Sequence, residues 1–189
     1  MDDARTDESL MLAYRDGEAA AFEALYARHR GKLFRYLLHQ CRKREQAEEM
    51  FQEVWMSVIR ARSAYEVSAK FSTWLYRIAH NRLIDGYRAT GHLAEFEREI
   101  DDEDGELPEI RAPEFEQPEQ RMERGELAAC MIAAVEALPA AQREAFLLVA
   151  EGGLSVDEIA RAIGVGFETA KSRLRYAYAR LRASLGDLS

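Results

Sequence analysis

Lys171, Arg173, Arg175, Arg180 and Arg182 fall between Thr169 and Gly186 with no acid among them. Cations at helical spacing suit a polyanion, because each neutralised phosphate releases condensed counterions. The residues just before them supply a frame. Ser155 is a natural helix N-cap, Glu158 completes a capping box, and Ile159, Ala160 and Ile163 turn inward on a short helix. Gly164-Val165-Gly166 then makes a tight turn and a second helix starts near Phe167. Two helices joined by three or four residues including Gly form a helix-turn-helix, and the second of them can enter the major groove. On its own, a Lys/Arg face beside buried Leu174, Ala177 and Leu181 is an ordinary solvated surface; joined to this turn it points to DNA.

Two further clusters lie in the first half. Glu49, Gln52 and Glu53, at i, i+3 and i+4, share one helix face, while Met50, Val54 and Val58 point elsewhere. Such a face is either simply solvated or pairs with a basic partner. Trp74 and Tyr76 mix with Lys70, Arg77, Arg82 and Arg88. Aromatics at this spacing are mostly core, and Trp74 beside Ile78 fits that reading, yet cations with an aromatic surface are also what an unstacked base needs. Metal and catalytic chemistry find no support. The two cysteines, Cys41 and Cys130, and the four histidines are scattered, and the acids fall on exposed faces with no nucleophile beside a base. The expectation is a protein with no cofactor, no metal site, no small-molecule substrate and no enzymatic activity, its cysteines reduced.

The elements that position these residues follow from periodicity. Phe22, Leu25, Tyr26, His29, Leu33, Leu37 and Cys41 form one helical stripe from about Glu18; Ala47, Met50, Phe51, Val54, Trp55 and Val58 form a second; Phe71, Trp74, Leu75, Ile78, Ala79 and Leu83 form a third. With a short leading helix around Glu8 to Arg15 they predict a bundle over 8–92. Order breaks at 93–122, where Asp101-Asp102-Glu103-Asp104 has no apolar period and Pro108, Pro113 and Pro118 interrupt any helix. Between 95 and 126 there are 14 acidic and 4 basic residues, more than the whole-chain charge of −8, so the remainder is slightly basic. Such a segment reads as an acidic flexible linker able to repel DNA from the free protein. A second domain spans 123–186, with Leu138 ending one helix, Pro139 opening the next and Gly152-Gly153 closing that. The fold class is therefore all-α, two small helical domains joined by a linker. No apolar run approaches the ~18 residues of a membrane span and Met1-Asp2-Asp3 lacks a basic opening, so a cytoplasmic protein is expected.

The segment Leu138 to Leu181 resembles the C-terminal domain of extracytoplasmic-function (ECF) RNA polymerase sigma factors, through Leu138-Pro139, Arg143, Phe146-Leu147-Leu148, Ser155, Glu158-Ile159-Ala160, Gly164-Val165 and Thr169-Ala170-Lys171-Ser172-Arg173-Leu174. Ala47-Glu48-Glu49-Met50-Phe51-Gln52-Glu53-Val54-Trp55 is similar to that family's polymerase-binding helix. Phe71-Ser72-Thr73-Trp74-Leu75-Tyr76-Arg77-Ile78-Ala79-His80-Asn81 is similar to its promoter-melting helix, with Asp85 and Arg88 at the family's spacing. The sequence departs from the pattern at Glu49, usually Asp, at Gly166, often Pro, at Phe167-Glu168, often a small pair, and at Ala170, usually Val. By the resemblance, the last three positions face or border DNA.

The resemblance implies a sigma factor that binds core RNA polymerase and promoter DNA under an anti-sigma factor. It implies polymerase binding by Glu49, Gln52, Glu53 and Trp55. Minus-ten contacts would come from Ser68, Lys70, Trp74, Arg77, Asn81, Arg82, Asp85 and Arg88, with the loop from Ser63 to Lys70 capturing a flipped base. Minus-thirty-five contacts would come from Phe167, Glu168, Thr169, Lys171, Ser172, Arg173 and Arg175, and polymerase would draw the acidic linker into a positive channel. The alternative is a stand-alone helix-turn-helix regulator with a helical sensor domain, which leaves Gln52-Glu53 and the Trp74–Asn81 motif without a role.

Overall fold

The computed structural model describes residues 4–41, 43–91 and 124–186, and every regular element among them is helical. The first half contains α1 (Asp7–Arg15), α2 (Ala19–Gln40), α3 (Arg44–Ala61), a 3-10 turn (Arg62–Ala64) and α4 (Phe71–Thr90); the second contains α5 (Arg124–Glu136), α6 (Ala140–Ala150), α7 (Val156–Ile163) and α8 (Phe167–Gly186). The acidic segment expected at 93–122 lies outside the described residues.

In the first half the three stripes close on one another. Leu25, Leu33 and Leu37 of α2 meet Ala47, Val54 and Val58 of α3 and Phe71, Leu75 and Leu83 of α4, all but excluded from water. Trp55 is buried among rings, with centroids 5.0 Å from Tyr26, 5.7 Å from Phe22 and 6.3 Å from Phe51. Edge-on and tilted ring contacts of this kind add to the area term. The first helix is pinned by two carboxylates. Arg28 Nη1 donates to Asp7 Oδ1 and His29 Nε2 lies against Asp7 Oδ2, both at 2.7 Å. The Phe71 amide donates to Glu8 Oε1 at 2.7 Å, so a side chain from α1 satisfies a free amide at the start of α4, whose own N-cap Lys70 makes no side-chain cap. Gly91, at φ 73°, closes α4 in the left-handed region.

The second half is built on the predicted caps. Pro139 precedes α6 as its N-cap, one position before its expected place as first helical residue. Gly153, at φ 63°, turns the chain after α6, and the Leu154 amide reaches back to Leu148 O at 3.1 Å. Ser155 Oγ accepts from the Glu158 amide while Glu158 Oε2 accepts from the Ser155 amide, at 3.3 and 2.9 Å, which completes the capping box. Gly164, at φ 71°, ends α7, and α8 begins at Phe167 as the sequence predicts. Ile159, Ile163, Leu148, Ala170, Ala177 and Leu181 fill the core, and the small Ala160 and Ala170 let α7 and α8 approach closely.

The two halves also pack against each other, α2 on α6 and α4 on α7. Tyr36 Oη donates to Glu144 Oε1 at 2.8 Å inside this seam, and His80 Nδ1 lies 2.7 Å from the same oxygen. Burial, with the Glu144 carboxylate second, holds the Tyr36 hydroxyl well above the usual range. α2 thus has a second buried edge, Tyr36 and Gln40, that the expected stripe did not include.

Two stability predictions follow from the pins and caps. The His29 hydrogen bond, and behind it Arg28, hold the Asp7 carboxyl below its ordinary value of 3.8 against the opposing effect of burial. Its contribution is present above the unfolded value and lost as pH falls through the lower folded one. Asp7→Asn should therefore cost about 1 kcal/mol at neutral pH in denaturant unfolding, with the difference from the parent shrinking below about pH 4. Ser155→Ala removes half of the capping box and should cost about 1 kcal/mol by the same measurement.

Candidate nucleic-acid and partner interfaces

Burying Ala47, Val54, Trp55 and Val58 turns the opposite side of α3 outward, and Glu45, Glu48, Glu49, Gln52, Glu53, Met56 and Arg60 are exposed along it. Glu48 is neutralised by Arg44 at 2.8 Å. The Glu49 and Glu53 carboxylates have no ion pair among the described residues, so an acidic face stands ready for a basic partner. Met56, 45% exposed, sits three and four residues beyond Glu53 and Gln52 and gives that face an apolar centre. The buried stripe did not include it, although its position two residues from both Val54 and Val58, about 200° round the helix, was a usable signal for the opposite face. Trp55, given to polymerase binding by the resemblance, is 5% exposed and sits where the α3 stripe put it, in the aromatic cluster beneath the face, which it supports from behind.

On α4 the burial of Phe71, Leu75, Tyr76, Ala79 and Leu83 leaves Arg77, Asn81, Asp85 and Arg88 exposed at i, i+4, i+8 and i+11, a single outward stripe. Arg82, half-buried, donates from Nη2 to Ser57 Oγ at 3.2 Å, and Arg88 Nη1 donates to Asp85 Oδ1 at 3.4 Å. Asp85 thereby orients two arginines, Arg82 lying 3.8 Å from its other oxygen. Trp74 is half-buried, with Tyr65 edge-on at 5.0 Å and Phe71 at 5.8 Å. The loop before α4 exposes Ser68 and Val67, the latter at 54%. Lys70 is exposed too, but its Nζ lies 2.8 Å from Glu158 Oε1, on the first helix of the helix-turn-helix. The sequence-predicted residues of this group are thus divided, with Arg77, Asn81, Asp85 and Arg88 on the open stripe and Lys70 at the seam between the halves.

The N-terminal part of α8 projects from the second half. Phe167, Glu168, Thr169, Lys171 and Arg175 are exposed and Ser172 is half-exposed. Glu168, Lys171, Ser172 and Arg175 share a face by their spacing. Lys171 lies 3.4 Å from Glu168 and over the Phe167 ring at 6.0 Å, and the Arg175 guanidinium rests 5.1 Å from the Tyr176 ring. Arg173 is 4% exposed and Ala170 is fully buried, so both lie on the core side of the helix, contrary to the positions the sequence reading gave them. A strict 3.6-residue period already puts 170, 173, 177 and 181 on one side; the charge of Arg173 hid this.

Among the described residues no group of three or more His, Cys, Asp or Glu is placed to hold a metal ion, and no helix is long and apolar enough to cross a membrane. Cys41 and Cys130 are free, and burial pushes the Cys41 thiol up to about 11, which keeps it protonated at neutral pH.

Known proteins match both halves of this geometry. The family model of Sigma-70 region 2 matches residues 25–92, and that of Sigma-70, region 4 matches residues 128–181. The chain is 33% identical over 178 residues to the RNA polymerase sigma factor CarQ of Myxococcus xanthus, covering 94% of this chain and 97% of the relative. It is 31% identical to the ECF RNA polymerase sigma factor SigM of Mycobacterium tuberculosis, covering 98% and 87%. Of solved structures, CnrH in complex with the cytosolic domain of CnrY shares the fold at a TM-score of 0.67 and 21% identity, over 97% of this chain and 99% of that one. RpoE from Bartonella quintana in complex with the anti-sigma factor NepR is 25% identical with a TM-score of 0.64, over 87% and 96%. The matched family is not a family of enzymes. With region 2 carrying the acidic face and the open α4 stripe, and region 4 carrying the helix-turn-helix, the protein belongs to the ECF sigma factors, which bind core RNA polymerase and direct it to promoters.

Proposed function

We propose a division of that activity among the three exposed surfaces. The exposed carboxylates of Glu49 and Glu53, with Gln52 between them and Met56 beside them, dock on a basic face of core polymerase. The stripe of Arg77, Asn81, Asp85 and Arg88, together with Ser68, Lys70, Trp74 and Arg82, receives the minus-ten element. Glu168, Thr169, Lys171, Ser172 and Arg175, with Phe167 at the tip, read the minus-thirty-five element. The observation that carries this reading is the exposed, acid-poor end of α8, presented by a completed helix-turn-helix. Phosphate contacts there fix the register and a bidentate arginine selects a base. An anti-sigma factor is proposed as the controlling partner, supported by the likeness to RpoE, solved with one. The protein works by recruitment, without catalysis of its own, in the cytoplasm where polymerase and promoters are. Run-off transcription with purified core polymerase on a matched promoter tests the whole; the stand-alone regulator would bind its operator without core and initiate nothing.

Two substitutions test the parts. Glu53→Lys should weaken binding to core polymerase by about tenfold, roughly 1.4 kcal/mol, in a titration of labelled protein, with stability changed by less than about 0.5 kcal/mol. Unchanged affinity removes this face from the interface. Arg175→Ala should cost about 1–3 kcal/mol on the preferred promoter and relax selection at one base pair, measured by competition with single-position variants. A uniform loss over all sequences would make Arg175 a phosphate contact instead.

A further inference from the structure

The seam between the two halves has a polarity that neither half explains alone. Four glutamates of the second half point into it. Glu144 Oε1 accepts from Tyr36 Oη at 2.8 Å and lies 2.7 Å from His80 Nδ1. Glu151 takes a forked contact from Arg35, Nε at 2.9 Å and Nη2 at 2.7 Å. Glu158 Oε1 meets Lys70 Nζ at 2.8 Å, and Glu136, at the rim, lies 3.7 Å from His39 Nδ1. Each of these acids comes from region 4 and each of their partners from region 2. Arg143 runs the other way, its Nε donating to Gln40 Oε1 at 3.3 Å.

We propose that this seam is an electrostatic latch which holds the free protein shut and keeps Lys70 from nucleic acid until it opens. Its chemistry makes it specific without making it permanent. The central carboxylate, Glu144, is 2% exposed, and its Oε2 makes no hydrogen bond among the described residues. Burial of a half-satisfied carboxylate is unfavourable, so opening the seam returns Glu144 to water and recovers part of what docking lost. The outer pairs are partly solvated, with the Arg35 side chain 54% and the Lys70 side chain 66% exposed, and are screened by salt. Interfaces between domains of one chain are commonly of this transient kind. Lys70 is where the latch touches function: its ammonium neutralises Glu158, the same carboxylate that caps the first helix of the helix-turn-helix. A phosphate must compete with that carboxylate for the Lys70 charge. The latch stands on the geometry alone, whereas the silencing of Lys70 rests on the minus-ten reading proposed above.

The test uses the full chain with Arg35→Glu, a change at an exposed side chain, and the same change combined with Glu151→Arg, which rebuilds the pair with its charges exchanged. Small-angle X-ray scattering at low salt should show a larger radius of gyration for Arg35→Glu, by on the order of a fifth over the parent, with helicity by circular dichroism unchanged. The exchanged pair should return it to the parent value. Equal radii for all three proteins, or expansion that the exchanged pair does not reverse, would overturn the latch. Binding of a promoter fragment without polymerase, followed by anisotropy, reads the second half of the proposal. Arg35→Glu should bind several-fold tighter although it adds negative charge, because Lys70 is released. Expansion with no gain in DNA binding overturns the role given to Lys70 and leaves the latch itself intact.

Discussion

Glu144 enters α6 on the stripe of Ala141, Ala145 and Leu148, where the helix is otherwise apolar. A carboxylate there costs several kcal/mol unless donors meet it, and region 4 supplies none of the donors it has. Tyr36 comes from α2 and His80 from α4, so the placement of one side chain requires two helices of region 2 to stand at a set distance and both to face α6. Those helices are spaced by their own core, Leu33 and Leu37 against Leu75 and Ala79, so the seam is only as well defined as the bundle behind it. The pins at Asp7 and Glu8 matter for the same reason: Glu8 fixes the start of α4, and the start of α4 places Lys70.

The acids of the chain therefore fall into distinct classes despite their common charge. Those of α3 are exposed, and Glu49 and Glu53 have no ion pair among the described residues. Those of the seam are matched to donors of the other half, and Glu158 is held low by Lys70 first and by its place in the capping box second. An unpaired acidic face retains its long-range field and so can steer a basic partner, while a paired one has spent that field on a neighbour. The net charge of −8 describes neither.

Much of this was legible in the residues. The capping box at Ser155 and Glu158, the left-handed Gly164 and the start of α8 at Phe167 are local features, written in short spacings with a direct backbone meaning, and they stand where the spacings put them. The stripes of α2, α3 and α4 were equally clear, because one buried face repeats at 3.6 residues. What escaped was the second face of α2. Tyr36 and Gln40 are polar-tipped and fall outside the apolar stripe, and their burial depends on residues more than a hundred positions away. Trp55 and Arg173 show a related difficulty: the resemblance gave each an interface role, whereas its place on the helix puts it in the core, as the apolar stripe of α3 already had for Trp55. Motif resemblance identifies a helix, but which residues of that helix face outward is decided by packing.

Glu158 has a consequence for how this protein can change over generations. One of its oxygens closes the capping box that starts the helix-turn-helix, and the other holds Lys70 across the seam. A substitution there alters the stability of the DNA-reading module and the hold between the two halves in a single step, so the residue is pleiotropic and selection cannot tune one trait through it without moving the other. Arg35 and Glu151 carry no such double duty. Divergence in how tightly relatives close should accordingly accumulate at that outer pair, while Glu158 stays fixed by the two tasks it performs at once.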